Sequence, residues 1–129
     1  MGSFTQPRIK SFNQGTSCVG NQFKFVKFGA SDEVVVPCSA ADEKTIGVQM
    51  NAPGGIDEQI EVALPGGGAK LIASAGITRG AYLAATAAGL AKTSAPGAGL
   101  HSHVGAIAHE SGVLNDVIEV DVVAFDLIG

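Results

Sequence analysis

The chain has no tryptophan, one tyrosine and two cysteines, and charged side chains make up only 16% of its 129 residues. That share is well below the roughly one quarter usual for a soluble domain, so other chains are expected to cover part of the surface. Cys18 and Cys38 lie 20 residues apart without a C-x-x-C spacing. They form neither a disulfide framework nor a zinc pattern, and each reads as a small buried hydrophobe. No apolar run approaches the ~20 residues of a membrane span, and Met1 to Lys10 lacks the apolar middle of a signal peptide. No membrane partner is expected, and the protein is read as made and folded in the cytosol. A chain of this length fits one domain and buries roughly two-thirds of its unfolded surface, enough for one core without staples.

What the chain has is glycine and short aliphatic rows. Its 18 glycines show no collagen period and point to tight turns. Ile60, Val62 and Leu64 alternate with Gln59, Glu61 and Ala63, and Ile118, Val120 and Val122 alternate with Glu119 and Asp121. A period of two puts the aliphatic residues on one face and the acids on the other, as in a half-buried strand. Glu33 to Val36 and Ile46 to Met50 are shorter strand candidates, and Phe23, Phe25 and Phe28 mark another. Turn signals recur about every ten residues, as in a sandwich or barrel. Ala81 to Lys92 has helical propensity. Gly89 interrupts it, however, and a hairpin of Tyr82 to Ala85 and Leu90 to Thr93 is preferred, with a short helix as the alternative.

The charges are unevenly spread. Arg8, Lys10, Lys24 and Lys27 give +4 up to Ala30, and the remainder carries −8. Residues 1–22 are polar and turn-rich and read as an extended N-terminal arm, either frayed or laid on an acidic partner. Residues 23–129 form the single β domain. Four cations without an aromatic platform make a poor phosphate-binding face, so nucleic acid is not an expected partner.

Shifted by 58 residues, Ile46–Val62 aligns without a gap on Val104–Val120: Gly47 meets Gly105, Gly54 meets Gly112, and Ile60-Glu61-Val62 meets Ile118-Glu119-Val120. The domain is therefore expected to be an all-β, compact antiparallel barrel or sandwich of two similar hairpin-like halves sharing one core, because a lone hairpin cannot bury its apolar face.

Chemistry is sparse. His101 and His103 alternate and could share a strand face, which keeps a metal-binding small β-barrel open as an alternative, but no Glu follows at the four- or five-residue spacing of a cupin site. There is no Gly-x-Ser-x-Gly. Gly66-Gly67-Gly68-Ala69-Lys70 lacks the spacing and hydroxyl of a phosphate loop. Glu61, Glu119 and Asp121 read as solvated charges on outer strand faces. No catalytic residue, cofactor or metal is assigned, and the chain is not expected to be an enzyme.

Four stretches, Ala75-Gly76-Ile77-Thr78-Arg79-Gly80-Ala81-Tyr82-Leu83, Ala87-Ala88-Gly89-Leu90-Ala91-Lys92-Thr93, His103-Val104-Gly105-Ala106-Ile107-Ala108 and Ile118-Glu119-Val120-Asp121-Val122, together resemble the head decoration (cement) proteins of tailed bacteriophages. The likeness covers roughly residues 30–124. The chain departs from the family in having Ala-Ala-Gly where an Asp often stands at the turn. The resemblance implies a virion protein, commonly a homotrimer, on the outer capsid surface, whose partner is the major capsid protein and which clamps neighbouring capsid subunits. Another virion part, such as a head-fibre base or tail accessory, is the alternative. Outside the resemblance, capsid contacts are expected at Phe4, Arg8, Ile9, Lys10 and Phe12 of the arm, and Phe23 and Phe25 are expected to pack the core or the trimer. If the arm makes these contacts, deleting residues 1–20 leaves a folded oligomer that no longer coats capsids.

Overall fold

The computed structural model describes residues 8–128. Among the described residues all ten regular elements are strands: β1 Ile9–Gln14, β2 Phe25–Phe28, β3 Val34–Pro37, β4 Gly47–Gln49, β5 Ile60–Ala63, β6 Gly68–Ile72, β7 Tyr82–Ala85, β8 Ala91–Thr93, β9 His101–Ala108 and β10 Val117–Ile128. The alternating rows fold as their period dictates. In β5 Ile60 and Val62 are buried while Glu61 is exposed, and in β10 Ile118, Val120 and Val122 are buried while Glu119 is exposed. The alanine-rich stretch is a hairpin, β7 against β8, turning at Gly89 with φ 82°. A left-handed backbone there favours glycine and breaks the helix that the alanines would otherwise support.

β1-β3-β2-β4-β5 form a closed barrel, and the second sheet has the order β6-β10-β9-β7-β8. Adding five to each strand number converts one order into the other. β2–β3, β2–β4, β4–β5 and β1–β5 are antiparallel, as are β7–β8, β7–β9, β9–β10 and β6–β10. A parallel β1–β3 pair closes the barrel, and a single parallel bridge from Ala73, just after β6, to Ala91 of β8 marks the same junction in the second sheet. The 58-residue similarity is thus the most legible part of a five-strand duplication. The parallel β1–β3 pair and the parallel Ala73–Ala91 bridge depart from the antiparallel architecture expected from the sequence.

The glycines shared by the two halves have steric reasons. A Cβ on Gly47 would collide with the Ala63 carbonyl, and a Cβ on Gly105 would lie 2.6 Å from both the Phe25 ring and Thr45 Oγ1. Gly54 donates its N–H to the Glu58 carboxylate, and the N–H of Val113, next to Gly112, bonds to that of Asp116. The β4–β5 and β9–β10 loops therefore cap their turns with carboxylates at the same repeat position, Glu58 and Asp116.

The core consists of two clusters, of which one is shared by both halves. Phe12, Cys18, Val26, Val35, Ile46, Ile60 and Val62 cluster as the barrel's interior. A larger cluster brings Phe25, Cys38, Val48 and Ala63 from the barrel together with Leu71, Leu83, Ala106, Ile118, Val120 and Val122 from the second sheet. Phe25 is fully buried, so it packs the seam between halves and is unavailable to another subunit. Phe23 is half-buried with φ 62°, ahead of β2. Its N–H donates to Gln49 O and its carbonyl accepts from Ile72 N, tying β4 to β6.

The stretch expected to be a separate arm differs from that expectation. β1 hydrogen-bonds to β5 from Ile9 to Phe12 and to β3 at Asn13 and Gln14. Phe12 and Gln14 point inward. The buried Gln14 side chain accepts from Cys18 N (2.6 Å) and donates to Gly55 O and Glu58 O (2.8 Å each). Polar composition masked this strand, because its inward glutamine meets its hydrogen-bonding needs inside the protein. Deleting residues 1–20 would remove a barrel stave.

Candidate functional site

Of the five residues expected to contact a partner, Phe4 lies outside the described residues. Phe12, only 4% exposed, belongs to the barrel interior, which corrects its assignment as a contact residue. Ile9 is exposed but on the face of β1 opposite Phe12, as strand alternation requires. Arg8 and Lys10 line two neighbouring depressions that share Phe28 and Leu64, at one mouth of the barrel.

That mouth is built by extending the interior-facing rows beyond the packed core. Alternation along β2 puts Phe28 on the side of Val26, one step past the filled interior, where it is 63% exposed. Along β1, Lys10 follows Phe12 outward, with its ammonium 5.3 Å from the Phe12 ring centroid. Leu64 caps the same cluster at the end of β5. An open groove of about 370 Å³ runs between Phe28 and Leu64 and on past Ile46, Pro65 and Ala124, flanked by Arg8 and Lys44. It abuts a depression by Lys10 and residues 28–33 at one end and a smaller one beside His103 and Asp126 at the other. The strand register of β10 shifts between Val122 and Phe125, a bulge that coincides with Ala124 in the groove wall. Bulges commonly re-aim side chains at functional sites.

The charges here have definite partners. Arg8 Nη1 donates to Pro65 O at 2.8 Å, and Lys10 pairs with Glu33 at 3.2 Å. No carboxylate among the described residues pairs with Lys44. The two histidines do not form a site: His101 is exposed, whereas His103 is 7% exposed with Nδ1 3.2 Å from Asp126. His103 Nε2 is buried without a hydrogen-bond partner. Among the described residues, no group of three or more His, Cys, Asp or Glu side chains gathers to hold a metal.

A second polar cluster joins the β3–β4 loop to the second sheet. Asp42 accepts from Lys92 Nζ and Ser102 Oγ, each at 2.9 Å, and Ser94 Oγ donates to Ser102 Oγ at 2.8 Å. Burial alone would raise the Asp42 pKa, but the bonds from Lys92 and Ser102 and the lysine charge bring it below the ordinary value. Ser102 is 1% exposed and donates to a carboxylate already held in its anionic form, a cross-link rather than an activated nucleophile. Beside it, Glu43 is pushed up by burial, then below its ordinary value by Lys27 and the N–H groups of Ser39 and Ala40.

Further exposed apolar residues cluster at the β9–β10 tip, with Val113, Leu114 and Val117 between 45% and 64% exposed. Ile56, the repeat counterpart of Leu114, is 49% exposed on the β4–β5 loop. The groove leaves no mark in the sequence, because its lining comes from the residue before β1, the end of β2, the approach to β4, the residues just after β5 and the bulge of β10.

No family model matches the chain, and no curated protein matches it in sequence. The fold is similar to that in the crystal structure of the head fiber gp8.5 N base of bacteriophage phi29, with a TM-score of 0.60 and 12% identity over 89% of this chain and 92% of that one. At that identity the likeness establishes a shared fold.

Proposed function

We propose that the chain is a structural protein of a tailed-phage head that docks on the outer surface of the assembled shell. One observation carries the reading: the fold is shared, over nearly the full length of both chains, with the base of a phage head fiber. The low surface charge and the exposed apolar groove support it, since stable protein interfaces bury about 1,200–2,000 Å². The mechanism is mass action. A protein that binds only the assembled shell stabilises it by its binding free energy at each site, and a homotrimer multiplies weak contacts through avidity.

Two finer roles fit. A cement protein clamps capsid subunits, as the sequence resemblance implies, whereas a fibre base seats a projecting structure, which the structural likeness favours. Electron microscopy of particles made with and without the chain tests the common reading. Density on the outer head that disappears with the chain is expected; particles unchanged by its loss, or density confined to the tail, would refute it. Heat resistance of the two particle types separates the roles, because loss of a cement weakens the shell and loss of a fibre base leaves it intact.

A further inference from the structure

We propose, resting on the head-docking reading, that the groove at the barrel mouth binds an extended acidic segment of the shell protein, seating an apolar side chain against Phe28 and Leu64 and pairing carboxylates with Arg8 and Lys44.

Charge complementarity identifies this occupant. The chain carries 12 acids and a net charge of −4, yet the central groove is lined by two cations and no carboxylate. At its ends, Glu33 is engaged by Lys10 and Asp126 by His103, leaving Asp32 beside the Lys10 end. The Arg8–Pro65 hydrogen bond fixes the guanidinium at the groove edge, which reduces the ordering cost of receiving a carboxylate. Lys44 reaches both the central groove and the depression at His103, where a buried Nε2 lacks a partner. That atom is a polar group left over by the fold at the edge of the same surface. Phe28 supplies the apolar part, since a 63% exposed aromatic ring on a sheet face gains most by being covered. The β9–β10 tip is apolar too, but Val113, Leu114 and Val117 line none of the depressions described above.

The test uses the full chain and mature shells, with binding read by co-sedimentation at low and high salt. Wild type should bind, and more weakly as salt rises. The double variant R8E/K44E should keep its melting temperature and lose about tenfold or more in affinity, with most of the salt dependence gone. Phe28→Ala should weaken binding and retain the salt dependence. The groove proposal is overturned if R8E/K44E binds within about twofold of wild type with the same salt response. It is overturned equally if only Val113→Ser and Leu114→Ser abolish binding, or if R8E/K44E changes oligomeric state in place of shell affinity. Failure of wild type to bind any shell would instead remove the head-docking reading itself.

Discussion

Replacing Gly105 with alanine adds one methyl group at the seam between the two halves. The new Cβ would lie 2.6 Å from Phe25 Cε1 and 2.6 Å from Thr45 Oγ1, with Phe25 Cζ at 3.2 Å. Phe25 is 0% exposed and Thr45 4%, so neither has solvent to retreat into. Overpacking of this kind costs ~1–3 kcal/mol, offset by roughly 0.5–1 kcal/mol of lost unfolded-state freedom. A net loss of about 1–2 kcal/mol corresponds to a melting temperature lower by roughly 4–8 °C in a domain of this size. Phe25→Ala should cost ~3–5 kcal/mol. In the Phe25→Ala background the ring clash is gone and the Thr45 Oγ1 contact remains, so Gly105→Ala should cost clearly less there, an interaction energy of about 1 kcal/mol. Urea unfolding followed by far-ultraviolet circular dichroism on the four proteins measures this cycle. Equal costs for Gly105→Ala with and without the Phe25 ring would refute a seam closed by that contact.

Three further outcomes are expected. Asp42 and Glu43 have folded pKa values below their ordinary ones, so their contribution is fully present above the ordinary carboxylate range and is lost as pH falls through the folded values; melting temperature should fall on acidification below about pH 4.5, less steeply in Asp42→Asn, and an unchanged slope in that variant contradicts the linkage. The Cys38 thiol is pushed up to about 12 by burial, with Glu43 adding and Lys27 opposing; native protein at pH 8 should react with a thiol reagent only after denaturant is added, and immediate labelling of Cys38 would show the seam to be open. Deleting residues 1–14 removes β1 and leaves β3 and β5 without their shared neighbour, so cooperative unfolding should vanish; a truncated chain with a sharp transition would mean that the barrel closes by another route.

Much of the fold was legible because local pattern and tertiary role agreed. The alternation in Ile60–Val62 and Ile118–Val122, the hairpin turn at Gly89 and the 58-residue repeat all encode their own environment. Where they diverged, the reading failed. Gln14 is polar yet buried, satisfied by three backbone groups, so β1 resembled an arm. Gly68–Ile72 was obscured by the glycines of the turn that leads into it. Phe12, Phe25 and Phe28 are alike in sequence, but they occupy the barrel interior, the inter-half seam and the exposed mouth. Composition alone cannot separate those three fates. Arg8 and Lys10 were found by their charge, whereas Lys44 and Ala124 join the groove only through folding.

An electron cryo-microscopy map of heads carrying the chain tests the central claim most directly. The account predicts a ten-strand density on the outer shell with the Phe28 end of the barrel turned toward the capsid subunits and Arg8 and Lys44 within reach of their carboxylates. A map in which that end faces solvent would contradict the docking surface, and heads with no such density would contradict the structural role.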